Sequence, residues 1–236
     1  MIKLIKLEWM KNNTRKYMIK AALVTAIICA FVLALAFLGI ADDPDGTLDA
    51  ALGAEGISLT VEMFSNMTYL LLTSSMFGSF IINSYKNRTM ELMFIYPIRR
   101  QRVLASQILA VWLFCFSALI LTKLLIYAAV VGVAKAGVWR SSFVIDIHLG
   151  SLSFWMILVI RSFVTVSLGL ICLFVGMIRK SSKTALIAAF LLFLITQGNV
   201  GDFSMAGNKA FMLALTVISF VLAGVVIGRA ETGELN

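Results

Sequence analysis

Two charged side chains, Lys123 and Arg161, stand inside long apolar runs, where the chemistry open to them is anion recognition. A charge at the centre of a bilayer costs from about 2.5 kcal/mol upward, so it faces a cavity, a partner or the interface. In a polar path the two cations would accept an anionic group such as a peptide carboxylate or a lipid phosphate. In a purely structural role, the third apolar run ends near Lys123 and both side chains snorkel outward or pair with Asp146 or Glu62. At about 1.5 Å per helical residue, each cation lies roughly 15 Å from the outer end of its run. No carboxylate falls inside any predicted span to neutralise them.

Other chemistry is missing from the chain. There is no phosphate-binding G-x-x-x-x-G-K-[ST] loop and no Gly-Lys dipeptide, so ATP is not cradled by that route in this subunit. The H-E-x-x-H pattern is absent, and no paired carboxylates occur within a span. The single histidine, His148, leaves no His/Cys set with metal-ligand spacing, and its proximity to Ser151 reads as a loop coincidence rather than a nucleophile and its base. Catalytic and metal-ligating residues are therefore not assigned, and the chain is not expected to be an enzyme by itself. Cys29, Cys115 and Cys172 all fall in apolar runs, where they read as small packing residues rather than a disulfide framework.

The elements that hold these residues follow from composition. Hydrophobic residues make up 61% of the chain and charged residues only 14%, against roughly 45 to 50% apolar residues in a soluble domain. The expected fold is an all-α integral membrane protein in one domain over residues 1–236. Six apolar runs are predicted to span, at residues 21–41, 67–83, 103–134, 151–178, 184–198 and 210–228, the second and fifth being short. Basic residues flank one side only. Lys3, Lys6, Lys11, Arg15, Lys16 and Lys20 precede the first run, Lys86, Arg88, Arg99, Arg100 and Arg102 lie between the second and third, and Arg179, Lys180 and Lys183 between the fourth and fifth. The loop after the first run carries Asp42, Asp43, Asp45, Asp49, Glu55 and Glu62 with no basic residue. Both termini are thus predicted cytoplasmic. The net charge of +8 reflects topology and attraction to anionic membrane lipids, with no implication of nucleic-acid binding.

Four local features refine this outline. Residues 1–19 place Ile2, Ile5 and Trp9 on one stripe beside lysines, as in a helix lying in the inner interface. Ala22, Ala26, Ala30 and Ala34 recur every fourth residue, a smooth face for helix packing within the chain or across a dimer. Gly78 with Ser75 and Ser79, and Ala223 with Gly224 and Gly228, are similar small-residue patches. The loops at 42–66 and 199–209 are polar, the first turning at Asp-Asp-Pro-Asp-Gly.

Between the second and third runs, residues 86–98 are too apolar for a free loop and too charged for a span. Arg88 and Glu91 share one side at helical spacing, Met90, Met93 and Phe94 another, and Pro97 stops the helix because it lacks a backbone donor. A short amphipathic helix with basic rims is predicted there.

This stretch resembles the cytoplasmic segment between the second and third spans of ABC-2 type permeases, the membrane subunits of ABC exporters. The resemblance is carried by Arg88, Thr89, Met90, Glu91, Leu92, Pro97 and Arg99 or Arg100, then Val103, Leu104 and Ala105. It departs from the family pattern in having no glycine before Thr89 and Gln107 where lysine is usual. The resemblance implies a coupling helix in which Arg88, Met90, Glu91, Leu92, Phe94, Tyr96, Pro97, Arg99 and Arg100 dock on a separate cytoplasmic P-loop ATPase, which would hold ATP and magnesium. It also implies a connecting helix at residues 1–19, pairing with a second permease chain, identical or related, around a translocation path, and a place in the bacterial plasma membrane. The compact size most resembles small permeases for amphipathic peptides, including peptide-toxin exporters and bacteriocin or bacitracin self-protection systems. Lipids, glycans and drugs are alternative substrates within the family. A membrane anchor or sensor subunit that recruits a cytoplasmic partner without transport is the alternative of another class.

Overall fold

The computed structural model describes residues 14–41, 54–83, 100–135, 152–197, 199–200, 203–204 and 208–232. Among them are the helices α1 (Thr14–Ala41), α2 (Ala54–Phe77), α3 (Arg100–Lys135), α4 (Leu152–Ile178), α5 (Ser182–Gln197) and α6 (Lys209–Thr232). A π-helical segment, Gly78–Ile82, continues α2. Strands β1 (Asn199–Val200) and β2 (Phe203–Ser204) pair antiparallel, Asn199 opposite Ser204 and Val200 opposite Phe203.

Helix is the local answer for these sequences because each is apolar, free of proline and able to satisfy its own backbone. α1, α3, α4 and α6 are long and apolar enough to cross a membrane, and α5 is apolar but shorter at 16 residues. The 27 residues of α4 extend about 40 Å, and the 36 of α3 about 54 Å, against a hydrocarbon core near 30 Å.

Three boundaries differ from the sequence expectation. Residues 14–19, placed by sequence in the interfacial helix, form the first turns of α1. α2 begins at Ala54 rather than Met67, so much of the predicted 42–66 loop is helical. Glu55, Ser58, Thr60 and Glu62 lower the apolarity of that stretch without lowering its capacity for helix, since glutamate is a good helix former. The predicted 199–209 loop holds the β1–β2 ladder, and Asn208 caps α6: its Oδ1 accepts from Ala210 N at 3.0 Å and Phe211 N at 3.3 Å.

Contacts divide the chain into two compact units. One comprises Met1–Thr14, Met67–Ser117 and Arg161–Asn236, the other Arg15–Asn66 and Ala118–Ile160. In the second unit the core is Ile28, Val32, Val61, Ile126, Tyr127, Val130 and Leu158. Its α3 members recur at helical spacing, which is why one face of α3 meets α1, α2 and α4. Phe31 packs edge-on to Phe64 at 4.8 Å and Tyr127 to Phe154 at 5.3 Å.

The larger unit has a core of Leu70, Leu168, Cys172, Ala189 and Phe193, drawn from α2, α4 and α5. Glycines let these helices approach: a Cβ on Gly169 would lie 2.6 Å from Thr73 Cγ2, and one on Gly176 would meet Ile82 and lie 2.7 Å from Ala185 Cβ. Trp112 and Phe163 pack edge-on at 5.3 Å, and Phe163 lies 5.9 Å from Phe220, joining α3, α4 and α6.

Candidate functional site

The outward and inward residues are distributed as in a protein dissolved in lipid. Met18, Ile19, Leu23 and Ile27 on α1, Ile187, Leu191 and Leu194 on α5, and Leu213, Val217 and Val221 on α6 are exposed. Ser65, Thr73, Ser74, Ser106, Thr122, Ser162, Ser167 and Ser219 are buried. Many of these hydroxyls return to their own helix, as Thr73 Oγ1 does to Tyr69 O at 2.6 Å and Ser167 Oγ to Phe163 O at 2.8 Å. Small hydroxyl residues inside and bulky apolar ones outside are what bilayer helices use to pack.

Within this interior lies an ion pair. Lys123 Nζ on α3 donates to Glu62 Oε1 on α2 at 3.3 Å, with side-chain exposures of 0% and 12%. The neighbouring Thr122 shares a 2.7 Å hydrogen bond with Thr25 of α1. Three helices thus meet through polar contacts at one level. On α2, Ser65 Oγ and Asn66 Oδ1 follow Glu62 at i+3 and i+4, and both atoms are buried with no hydrogen-bond partner among the described residues.

This arrangement departs from the loop predicted at residues 42–66. Glu62 becomes intrahelical because α2 starts at Ala54. α3 does not end near Lys123 but continues to Lys135. Arg161 is exposed on α4, nine residues past Leu152 and so about 14 Å from that end of the helix. Its carbonyl accepts the Thr165 hydroxyl at 2.9 Å. Lys123 and Arg161 belong to different compact units.

The predicted coupling residues Arg88, Met90, Glu91, Leu92, Phe94, Tyr96, Pro97 and Arg99 lie outside the described residues, as do residues 1–13 of the predicted interfacial helix. Arg100 is the first residue of α3. The helix end from which the 84–99 segment departs is described in detail. Ser182 Oγ, at the start of α5, donates to Gly78 O at 3.1 Å and lies 3.3 Å from Asn83 Oδ1. The α4–α5 turn is therefore docked against the last turn of α2.

That turn is a Schellman closure: Ser181 N donates to Gly176 O and Lys180 N to Met177 O, each at 3.2 Å, with Lys180 in the left-handed region at φ 49. Arg179, Lys180 and Lys183 are exposed around it. Two of the basic stretches read from sequence, the one beginning after Asn83 and the one at 179–183, accordingly leave from the same end of this helical group.

Sequence reasoning named Glu62 only as one alternative partner and did not single out Ser182. The signal for the first was an acid just before the second apolar run and a base inside the third. For the second it was the small-residue patch around Gly78, which needs a close neighbour.

Helix length, apolar exterior and small polar interior define a membrane-embedded, multi-pass helical protein. No family model matches the chain, and no solved structure matches it. The chain is similar to Uncharacterized protein YcbO of Bacillus subtilis (strain 168), with 22% identity over 234 residues that cover 97% of each chain. The similarity is thus to a protein of nearly the same length along its whole extent.

Proposed function

We propose that this chain is the permease subunit of an ABC exporter of the ABC-2 type, with six spans and both termini cytoplasmic, in the plasma membrane of a bacterium. The observation that carries the reading is the amphipathic, basic-rimmed sequence between Asn83 and Arg100, which departs beside the exposed Arg179, Lys180 and Lys183. Basic residues gathered at one end suit the cytoplasmic side. A short amphipathic helix joining two spans there suits the role of a lever, since a partner's movement would pass into the helices as a rigid-body shift.

The chain has no ATP-binding loop of its own, so the proposal requires a separate P-loop ATPase carrying ATP and magnesium. Arg88, Met90, Glu91, Leu92, Phe94, Tyr96, Pro97, Arg99 and Arg100 are assigned to its docking. A second permease chain is assigned to α1. Ala22, Ala26, Ala30 and Ala34, the smooth stripe read from sequence, are all exposed, so the stripe is free to receive a helix of another copy.

The proposed substrate is an amphipathic peptide. Its apolar face suits apolar helices, and its carboxylate suits a cation within them. Lys123 and the exposed Arg161 are the candidate cations for that carboxylate.

The test is co-expression with neighbouring genes, purification in mild detergent and assay of ATPase activity. A stoichiometric P-loop ATPase, lost on combined Glu91→Ala and Tyr96→Ala substitution, is the expected result. A folded chain recovered without any ATPase would instead establish the anchor or sensor reading. ATPase activity that responded to lipid-linked glycans and never to peptides would remove the peptide assignment alone.

A further inference from the structure

α2 leaves α-helical register for five residues, Gly78–Ile82, immediately before the chain departs into the segment at 84–99. In the wider turn, Asn83 N–H donates to Gly78 O, five residues back. The same carbonyl accepts the Ser182 hydroxyl from α5 at 3.1 Å, and that hydroxyl lies 3.3 Å from Asn83 Oδ1. One side chain therefore touches both ends of the π segment.

Packing is fitted to this register. A Cβ on Gly78 would lie 3.0 Å from Ser182 Cβ and 3.2 Å from its Oγ, so any larger residue there presses on Ser182 and glycine eases the approach that the hydrogen bond needs. Ile82 reaches over Gly176, where an added Cβ would meet its Cδ1. Phe80, Ile81 and Ile82 are successive buried residues, at 3%, 0% and 1% exposure. Three consecutive buried side chains span more of the circumference than the single face that an amphipathic helix buries.

The local sequence Gly-Ser-Phe-Ile-Ile has no proline to force a wide turn. Single π turns inside α-helices recur at functional positions. We infer that Ser182 is a latch that holds α2 in the π register. Releasing its hydroxyl from Gly78 O lets residues 78–83 return to α-helical register. Asn83 and the segment beyond it then turn relative to the rest of α2 by about 100°, one residue's step in an α-helix.

The turn would move whatever docks on residues 84–99 with respect to the bundle, and conversely a pull on that segment would work against the Ser182 contact. This use in coupling rests on the permease reading, whereas the latch itself rests only on α2 and α5.

The test uses the full chain alone in lipid nanodiscs. Ile82→Cys is labelled with a water-soluble maleimide, and the rate is followed by peptide-level mass spectrometry, which separates it from Cys29, Cys115 and Cys172. Ile82→Cys and, in parallel, Phe80→Cys are expected to react slowly with Ser182 present. Both should react roughly tenfold faster with Ser182→Ala, the shift that loss of one buried hydrogen bond gives a two-state equilibrium. Ser182→Thr, which keeps the hydroxyl, should leave labelling slow. Gly78→Ala, which crowds Ser182 without removing its hydroxyl, should accelerate it and serves as the second route should Ser182→Ala fail to fold. Equal, slow labelling in folded Ser182→Ala and Gly78→Ala proteins would overturn the latch whatever partner is found. Failure to recover an ATPase would overturn the permease reading and leave the labelling result standing.

Discussion

Lys123 Nζ and Glu62 Oε1 are 3.3 Å apart on α3 and α2, with the lysine side chain wholly buried, although 61 residues separate them in sequence. Removing either partner would leave a charge in an apolar interior, at a cost of about 3 to 5 kcal/mol, whereas replacing both by apolar groups of similar volume is near neutral. Glu62→Leu and Lys123→Met are each expected to lower the thermal midpoint of the purified chain sharply, and the double substitution to recover most of the loss. Two single variants that each melt within a degree of the parent would show that the pair is not closed in the folded protein.

Gly169 and Gly132 are expected to respond to alanine in opposite directions. At Gly169 the new Cβ would lie 2.6 Å from Thr73 Cγ2, and overpacking of this kind costs about 1 to 3 kcal/mol. At Gly132 nothing lies within 4 Å, so alanine should stabilise α3 by up to about 1 kcal/mol through its helix propensity. Thermal melts of both variants check the contrast, and a neutral Gly169→Ala would argue against the close contact between α2 and α4.

Lys180 holds a left-handed backbone at φ 49 that glycine adopts without steric cost. Lys180→Gly is expected to stabilise the α4–α5 turn by roughly 1 kcal/mol, and Lys180→Val to destabilise it by at least as much. Guanidinium-free thermal unfolding in detergent distinguishes these outcomes. If both substitutions are neutral, the turn does not depend on this conformation.

The proposed pairing of two copies through the exposed alanines of α1 is open to a direct test. Ala26→Leu combined with Ala30→Leu should leave the chain folded, since both positions are exposed. It should also weaken pairing of two copies by about tenfold, equivalent to 1.4 kcal/mol. Single-molecule mass measurement in nanodiscs across a dilution series reads the change. Unaltered dimer formation would place the contact between copies elsewhere.

Much of the fold was legible before any coordinates because hydropathy is a local property. The predicted 151–178 run and α4, Leu152–Ile178, differ by one residue, and the third and sixth runs extend by only a few. α2 was harder because its first turns mix acidic and hydroxyl residues with apolar ones, and a polar helix is distinguished from a loop only by what it packs against. The predicted cations divided by burial: Lys123 is buried, while Arg161 is exposed on α4.

The sequence by itself determined the solvent. With 61% hydrophobic residues grouped in long runs, the backbone must close its hydrogen bonds within helices that bury their sides in lipid. Tertiary structure alone decided that Glu62 meets Lys123, that Thr25 meets Thr122 and that Ser182 meets Gly78. Each of these is a contact between distant segments, selected by which helix faces fit together. A helical period places a residue on a face, but it does not say which other helix that face will meet.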